Sequence, residues 1–284
     1  MKSEKLSSRQ LAVAVLTGGL SAGAAAAGRV DWRWLLLTAA LGTAAGWLLL
    51  RRVGGRPLHP VLRVLYGAWA VVLMADVLGR TARRIQQGLG NEESAGWLLV
   101  LLAIPLIWMG WGKAAAFFRA LEIFWLGLVV TVAAILLLGV PRMDWRWALE
   151  PAGSWTDSLL AGALIMSTGL FVLPILYKVE RPTEEDRRGL VWLGALGLVS
   201  STLAALAAGL LSPAVAAQLE GPFFAAAGLL AHSWGVERWP ALAAVVSLGL
   251  ALIGVTDSIP GAVLPIGCLV LAALTAVFPV GGNK

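Results

Sequence analysis

Long apolar runs alternate with short polar pieces along the whole chain. A run of about 17–25 residues with few or no charges is long enough to cross a hydrocarbon layer as a helix. Ten such runs are present, near residues 10–28, 33–50, 61–79, 95–111, 115–140, 157–177, 189–211, 214–233, 239–256 and 260–280. The eighth is interrupted at its start by Glu220 and Pro222, which predicts a short or broken helix. The longest polar pieces, residues 80–94 and 178–188, are too short to fold alone. The pattern predicts an all-α, polytopic membrane bundle of about ten transmembrane helices, one integral membrane domain over residues 1–284.

Composition agrees with the pattern. Hydrophobic residues make up 59% of the 284 and charged residues 13%, with mean hydropathy +0.82; a soluble domain carries about 25% charged residues. Fourteen Trp and thirty-three Gly suit interfacial anchors and close helix packing. A net charge of +6 raises the question of nucleic acid. The basic residues lie in short pieces between apolar runs, with no basic face interleaved with aromatics, so nucleic acid is excluded as a partner and membrane lipid is expected. The single Cys268 excludes an intramolecular disulfide. Lys2, Lys5 and Arg9 before an Ala-rich stretch resemble a signal peptide; nine further apolar runs favour an uncleaved first span.

With ten spans both termini share one side. Placing them inside puts 15 of the 22 Lys and Arg in cytoplasmic pieces and 7 outside. Both termini are therefore expected in the cytoplasm. Arg80, Arg83 and Arg84 oppose this locally. Trp32, Trp34, Trp145, Trp147 and Trp155 fall at expected outer boundaries, and Trp111, Trp234 and Trp239 at inner ones.

Ten spans divide into a five-plus-five inverted repeat, about 10–140 and about 157–280. Transporters built this way mark their site with interrupted helices at matching places in both halves. The first span carries Gly18, Gly19, Ser21 and Gly23. The sixth carries Gly162, then Ser167, Thr168 and Gly169, with Pro174 beyond. Gly lowers the cost of unwinding, and hydroxyls satisfy freed backbone groups. The first and sixth helices are thus expected to be broken, with Gly18, Gly19, Ser21 and Gly23 facing Ser167, Thr168 and Gly169 across a ligand site. The other reading is that these small residues serve helix packing.

No catalytic or metal-binding constellation stands out, which argues against an enzyme, and no cofactor or metal is expected. His59 and His232 read as boundary residues without partners. Asp76 can pair with Arg80 one turn on, and Glu122 with Arg119 at i−3. Each reads either as an interfacial ion pair or as a gate. Glu220 reads as vestibule or loop, and Asp257 as loop.

From Lys113 to Pro151 the chain resembles the central signature of the spore germination permeases, the B subunits of germinant receptors (GerAB type). The matching residues are Arg119-Ala120-Leu121-Glu122, Pro141-Arg142-Met143-Asp144 and Leu149-Glu150-Pro151. Lys5-Leu6-Ser7-Ser8-Arg9-Gln10 is similar to the family's opening, and Val236-Glu237-Arg238-Trp239 to a later element. The first span departs from the family, reading Ala24-Ala25-Ala26-Ala27 where an apolar residue and Pro follow the break. The resemblance implies the amino acid–polyamine–organocation transporter fold and an inner membrane location in a spore. It also implies partnership with an A-type subunit and a lipoprotein C-type subunit, and a small germinant such as an amino acid as ligand. A stand-alone amino acid transporter and a structural membrane subunit without its own ligand are the alternatives.

Overall fold

The structure is a computed structural model. It describes residues 6–7, 9–14, 31–53, 56–89, 96–143, 145–146, 154–171, 173–178, 230, 232, 239–255 and 262–278. Regular structure among these is helical, with no strand. A short helix over 9–14 is followed by α1 (Trp32–Val53), α2 (Pro60–Leu89), α3 (Gly96–Trp111), α4 (Ala114–Gly139), α5 (Trp155–Leu170), α6 (Trp239–Leu252) and α7 (Val263–Val277). Tighter 3-10 turns follow α4 at Val140–Arg142 and α5 at Leu173–Lys178. Two helices, over Pro60–Arg83 and Ala114–Thr131, are long and apolar enough to cross a membrane. Gly96–Trp111, Trp239–Leu252 and Val263–Val277 are shorter apolar helices.

Local chemistry fixes the ends. Asp31 caps α1, its Oδ1 accepting from Arg33 N at 2.9 Å. Ser154 caps α5, its Oγ accepting from Asp157 N at 3.1 Å, and the Asp157 charge suits the first turn. α6 closes at Gly254, where φ is 68°, a conformation that favours glycine.

Close contacts set the helix directions. Asp31 N donates to Ser158 Oγ at 2.8 Å, Trp34 lies 6.5 Å from Trp155, and Thr38 abuts Gly162, so α1 and α5 run parallel. His59 meets Phe278 at 5.7 Å, Tyr66 hydrogen-bonds Thr275 at 2.9 Å, and Trp69 covers Gly267, so α2 and α7 run antiparallel. α3 packs along α6 with Gly110, near its end, against Pro240 and Ala241 at the start of α6; this pair is antiparallel too. Ser247 Oγ, buried, lies within donating distance of Val71 O at 3.0 Å, which joins α6 to α2.

The core is apolar, and large apolar side chains also face outward on several helices. α3 exposes Trp97, Val100, Leu101, Ile104, Trp108 and Trp111, a stripe at helical spacing. α1 exposes Trp34, Leu37, Leu41 and Leu48 between the exposed Arg33 and Arg52. Past Glu122, α4 exposes Ile123, Phe124, Leu126, Val130, Leu137 and Leu138. The hydroxyls of Thr38, Ser158, Ser247 and Thr275 are in contrast inside.

Two expectations are corrected. The sequence pattern puts the third span near 61–79 and a polar piece over 80–94, whereas α2 continues through the first part of that piece to Leu89. At 1.5 Å per residue its 30 residues measure about 45 Å, beyond a hydrocarbon layer of about 30 Å. Arg80, Arg83 and Arg84 therefore sit on the continuing helix, because nothing from 80 to 87 breaks a helix and the pattern persists through Ile85. The expected break at 162–169 is also absent: α5 is α-helical through Ser167, Thr168 and Gly169 to Leu170. The geometry changes just afterwards, in the 3-10 turn holding Pro174. Gly162 serves close packing instead, since a Cβ there would lie 2.5 Å from Thr38 Cβ and Cγ2.

Candidate functional site

The basic end of the bundle is where α2, α4 and α6 start and α1, α3, α5 and α7 finish. The N-terminal segment docks there through a reciprocal cap. Gln10 N donates to Ser7 Oγ at 3.2 Å, and Ser7 N donates to Gln10 Oε1 at 3.2 Å. Two backbone donors at the start of the 9–14 helix are thus satisfied by S-x-x-Q. Leu6 before the cap and Leu11 after it are both buried, 1% exposed, in the hydrophobic core that includes Phe117 and Phe118. This is the staple pattern that fixes the angle at which a chain begins a helix.

The cap presents Arg9 to α4. Arg9 Nε lies 3.0 Å from Glu122 Oε1, with side chains 71% and 27% exposed. The expected i−3 partner, Arg119, is exposed and makes no ion pair among the described residues. The Glu122 ion pair is therefore tertiary, joining two distant segments. The i−3 spacing is a sound local expectation, but the N-terminal helix brings a second arginine to the same carboxylate.

Beside this pair, His232 is buried and stacks on Phe117, with centroids 5.0 Å apart and 29° between planes. Phe118 lies tilted at 6.1 Å. His59 leads into α2, with Val61 N donating to Nδ1 at 3.4 Å. His59 thus sits at a helix boundary, as the sequence suggests, whereas His232 is buried among aromatic rings. Apolar runs hide such roles, because a ring in a helix start or an aromatic stack leaves no spacing signal. Farther in, Tyr66 OH donates to Thr275 Oγ1, which donates to Leu271 O at 2.7 Å, and Phe171 meets the Tyr66 ring edge-on at 5.6 Å. Arg63 Nε and Trp69 Nε1 are buried donors without a hydrogen-bond partner among the described residues.

Asp76 belongs elsewhere. It lies sixteen residues along α2, about 24 Å from the helix start. Arg80 Nε donates to its Oδ1 at 2.9 Å, and the carboxylate side chain is 6% exposed. The residues grouped as gate or ion pair thus form two separate sites. Gly18, Gly19, Ser21 and Gly23 lie outside the described residues, as do Glu220 and Asp257. Ser167, Thr168 and Gly169 occupy the last turn of α5. In a helix that ends at Leu170, the carbonyls of Thr168 and Gly169 lie beyond the last i→i+4 donor, the N–H of Phe171. Among the described residues, no group of three His, Cys, Asp or Glu could hold a metal ion.

Reversing the charges tests the Arg9–Glu122 pair. Glu122→Arg and Arg9→Glu should each lower the melting temperature, and the double variant should restore part of the loss. The coupling should be below about 1 kcal/mol, since the pair is partly solvated. The reversal Arg119→Glu with Glu122→Arg should restore nothing.

No protein-family model matches the chain, and no curated protein matches it.

Proposed function

We propose that the chain is an integral membrane protein with its basic end in the cytoplasm, acting as the membrane subunit of a spore germinant receptor. In this reading it senses a small germinant, such as an amino acid, through a transporter-like bundle of about ten helices. It works beside A-type and lipoprotein C-type subunits in the inner membrane of the spore. The observation that carries the reading is the meeting of two segments on which the resemblance rests: Arg9 of Lys5–Gln10 and Glu122 of Arg119–Glu122.

Membrane placement is supported by the apolar stripes on α1, α3 and α4. A soluble protein would not leave such surface bare. Helix directions support the crossing number. If each apolar run crosses once, α1 and α5 are the second and sixth spans and must be parallel. The α2–α7 and α3–α6 pairs are the third with the tenth and the fourth with the ninth, and must be antiparallel. All three pairs comply.

This reading puts the ligand site at the end of α5. That helix stops about 24 Å from its start, within a layer of about 30 Å. In this reading the carbonyls of Ser167, Thr168 and Gly169 would accept from an ammonium group. Pro174, lacking an N–H, cannot close the Leu170 carbonyl. Half-helix N–H groups near Gly18, Gly19, Ser21 and Gly23 would meet the carboxylate.

Gly19→Leu and Gly169→Leu should each abolish the germination response to amino acids while membrane levels persist. Wild-type responses from both would remove the ligand site from these helices. Amino acid uptake by the protein alone, without A- and C-type partners, would favour the stand-alone transporter.

A further inference from the structure

We infer that Arg119 binds the phosphate of an acidic phospholipid in the leaflet at the basic end, an inference that rests on the membrane reading above. Glu122, the carboxylate nearest to Arg119 in sequence, is taken by Arg9. Arg119 is left exposed and without an ion pair among the described residues. It also lies on the helix face that carries Ile123, Leu126, Val130 and Leu137, all exposed.

Among the described residues of α4, the sole carboxylate beside that face is Glu122, which Arg9 occupies. Arg119 is the sixth residue of α4, about 8 Å from the helix start. Side chains on a helix lean toward its N-terminus, so an arginine here directs its guanidinium back to the headgroup layer while its stem stays among acyl chains. A guanidinium matches phosphate with two parallel N–H donors. The end of α3 leads directly into this helix: Trp108 and Trp111 are 79% and 76% exposed, and Lys113 is exposed in the two-residue link between the helices. Indole rings of this kind favour the headgroup level. A lipid satisfies the charge and the apolar face together, whereas free phosphate satisfies only the charge.

The test uses full-length protein reconstituted in nanodiscs of phosphatidylcholine, with phosphatidylglycerol titrated in, and phospholipid retention read by native mass spectrometry. Arg119→Gln should weaken phosphatidylglycerol retention about five-fold, the worth of one basic residue at an acidic surface. Arg119→Lys should retain part of it. Arg52→Gln, an exposed arginine at the end of α1, should change it less. Inorganic phosphate added to phosphatidylcholine discs should not compete. Equal retention by Arg119→Gln and wild type, or an equal loss in Arg52→Gln, overturns the assignment, as does competition by free phosphate. Failure of the membrane reading would look different: the protein would leave vesicles on alkaline washing and would not enter nanodiscs.

Discussion

Gly110→Leu is expected to leave almost no folded protein. A Cβ at Gly110 would lie 2.7 Å from Ala241 N and 2.8 Å from the Pro240 carbonyl carbon. Both are backbone atoms, so no rotamer change relieves the overlap and α3 must move away from α6. Overpacking a tight contact by a few carbons costs about 1–3 kcal/mol, and Leu adds four. α3 and α6 bury Leu102, Ala103, Ala243 and Ala244, so separating them exposes core. Gly110→Ala should already lower the melting temperature, and Gly110→Leu should abolish the cooperative transition in a detergent melt. Gly127, on the exposed α4, is the contrasting case. A methyl group there would meet nothing within 4 Å, so Gly127→Ala should be accepted without loss.

Val130→Arg should be almost as damaging, although Val130 is 59% exposed. In water an exposed substitution of this kind stays within about 0.5 kcal/mol. In the middle of a lipid-facing helix an arginine costs about 2.5–3.5 kcal/mol. The variant should therefore insert poorly and accumulate at a small fraction of the wild-type level, read by quantitative blotting of washed membranes. Val130→Leu at the same position should be neutral.

Hydropathy makes most of the described helices legible, because a long apolar helix is marked by the charge it lacks. The helices over 33–50, 95–111 and 115–140 need only the length of each apolar run. The continuation of α2 is hidden because charge reads as the end of a span, although charge does not end a helix. Arg80 to Gln87 contains no breaker, whereas Gly88, Gly90 and Asn91 give the stop signal that charge does not.

The site is legible only where its contacts are local. Asp76 and Arg80, four apart, pair as their spacing predicts. The same rule pairs Glu122 with Arg119, and Arg9 displaces it because tertiary contacts leave no mark in spacing. The S-x-x-Q at Ser7 to Gln10 does carry a readable helix-start signal. Gly110 and Gly127 look alike in sequence; only the approach of α6 separates them.

Cysteine accessibility tests most directly whether the exposed apolar surface faces lipid. With the buried Cys268 replaced by Ala, single cysteines at Val130 and Ser154, both exposed, are treated in intact cells with a membrane-impermeant maleimide. The account predicts fast labelling at Ser154 from outside and none at Val130 until the membrane is dissolved and the protein denatured. Labelling of Val130 at the rate of Ser154, or of Ser154 only after permeabilisation, would contradict it.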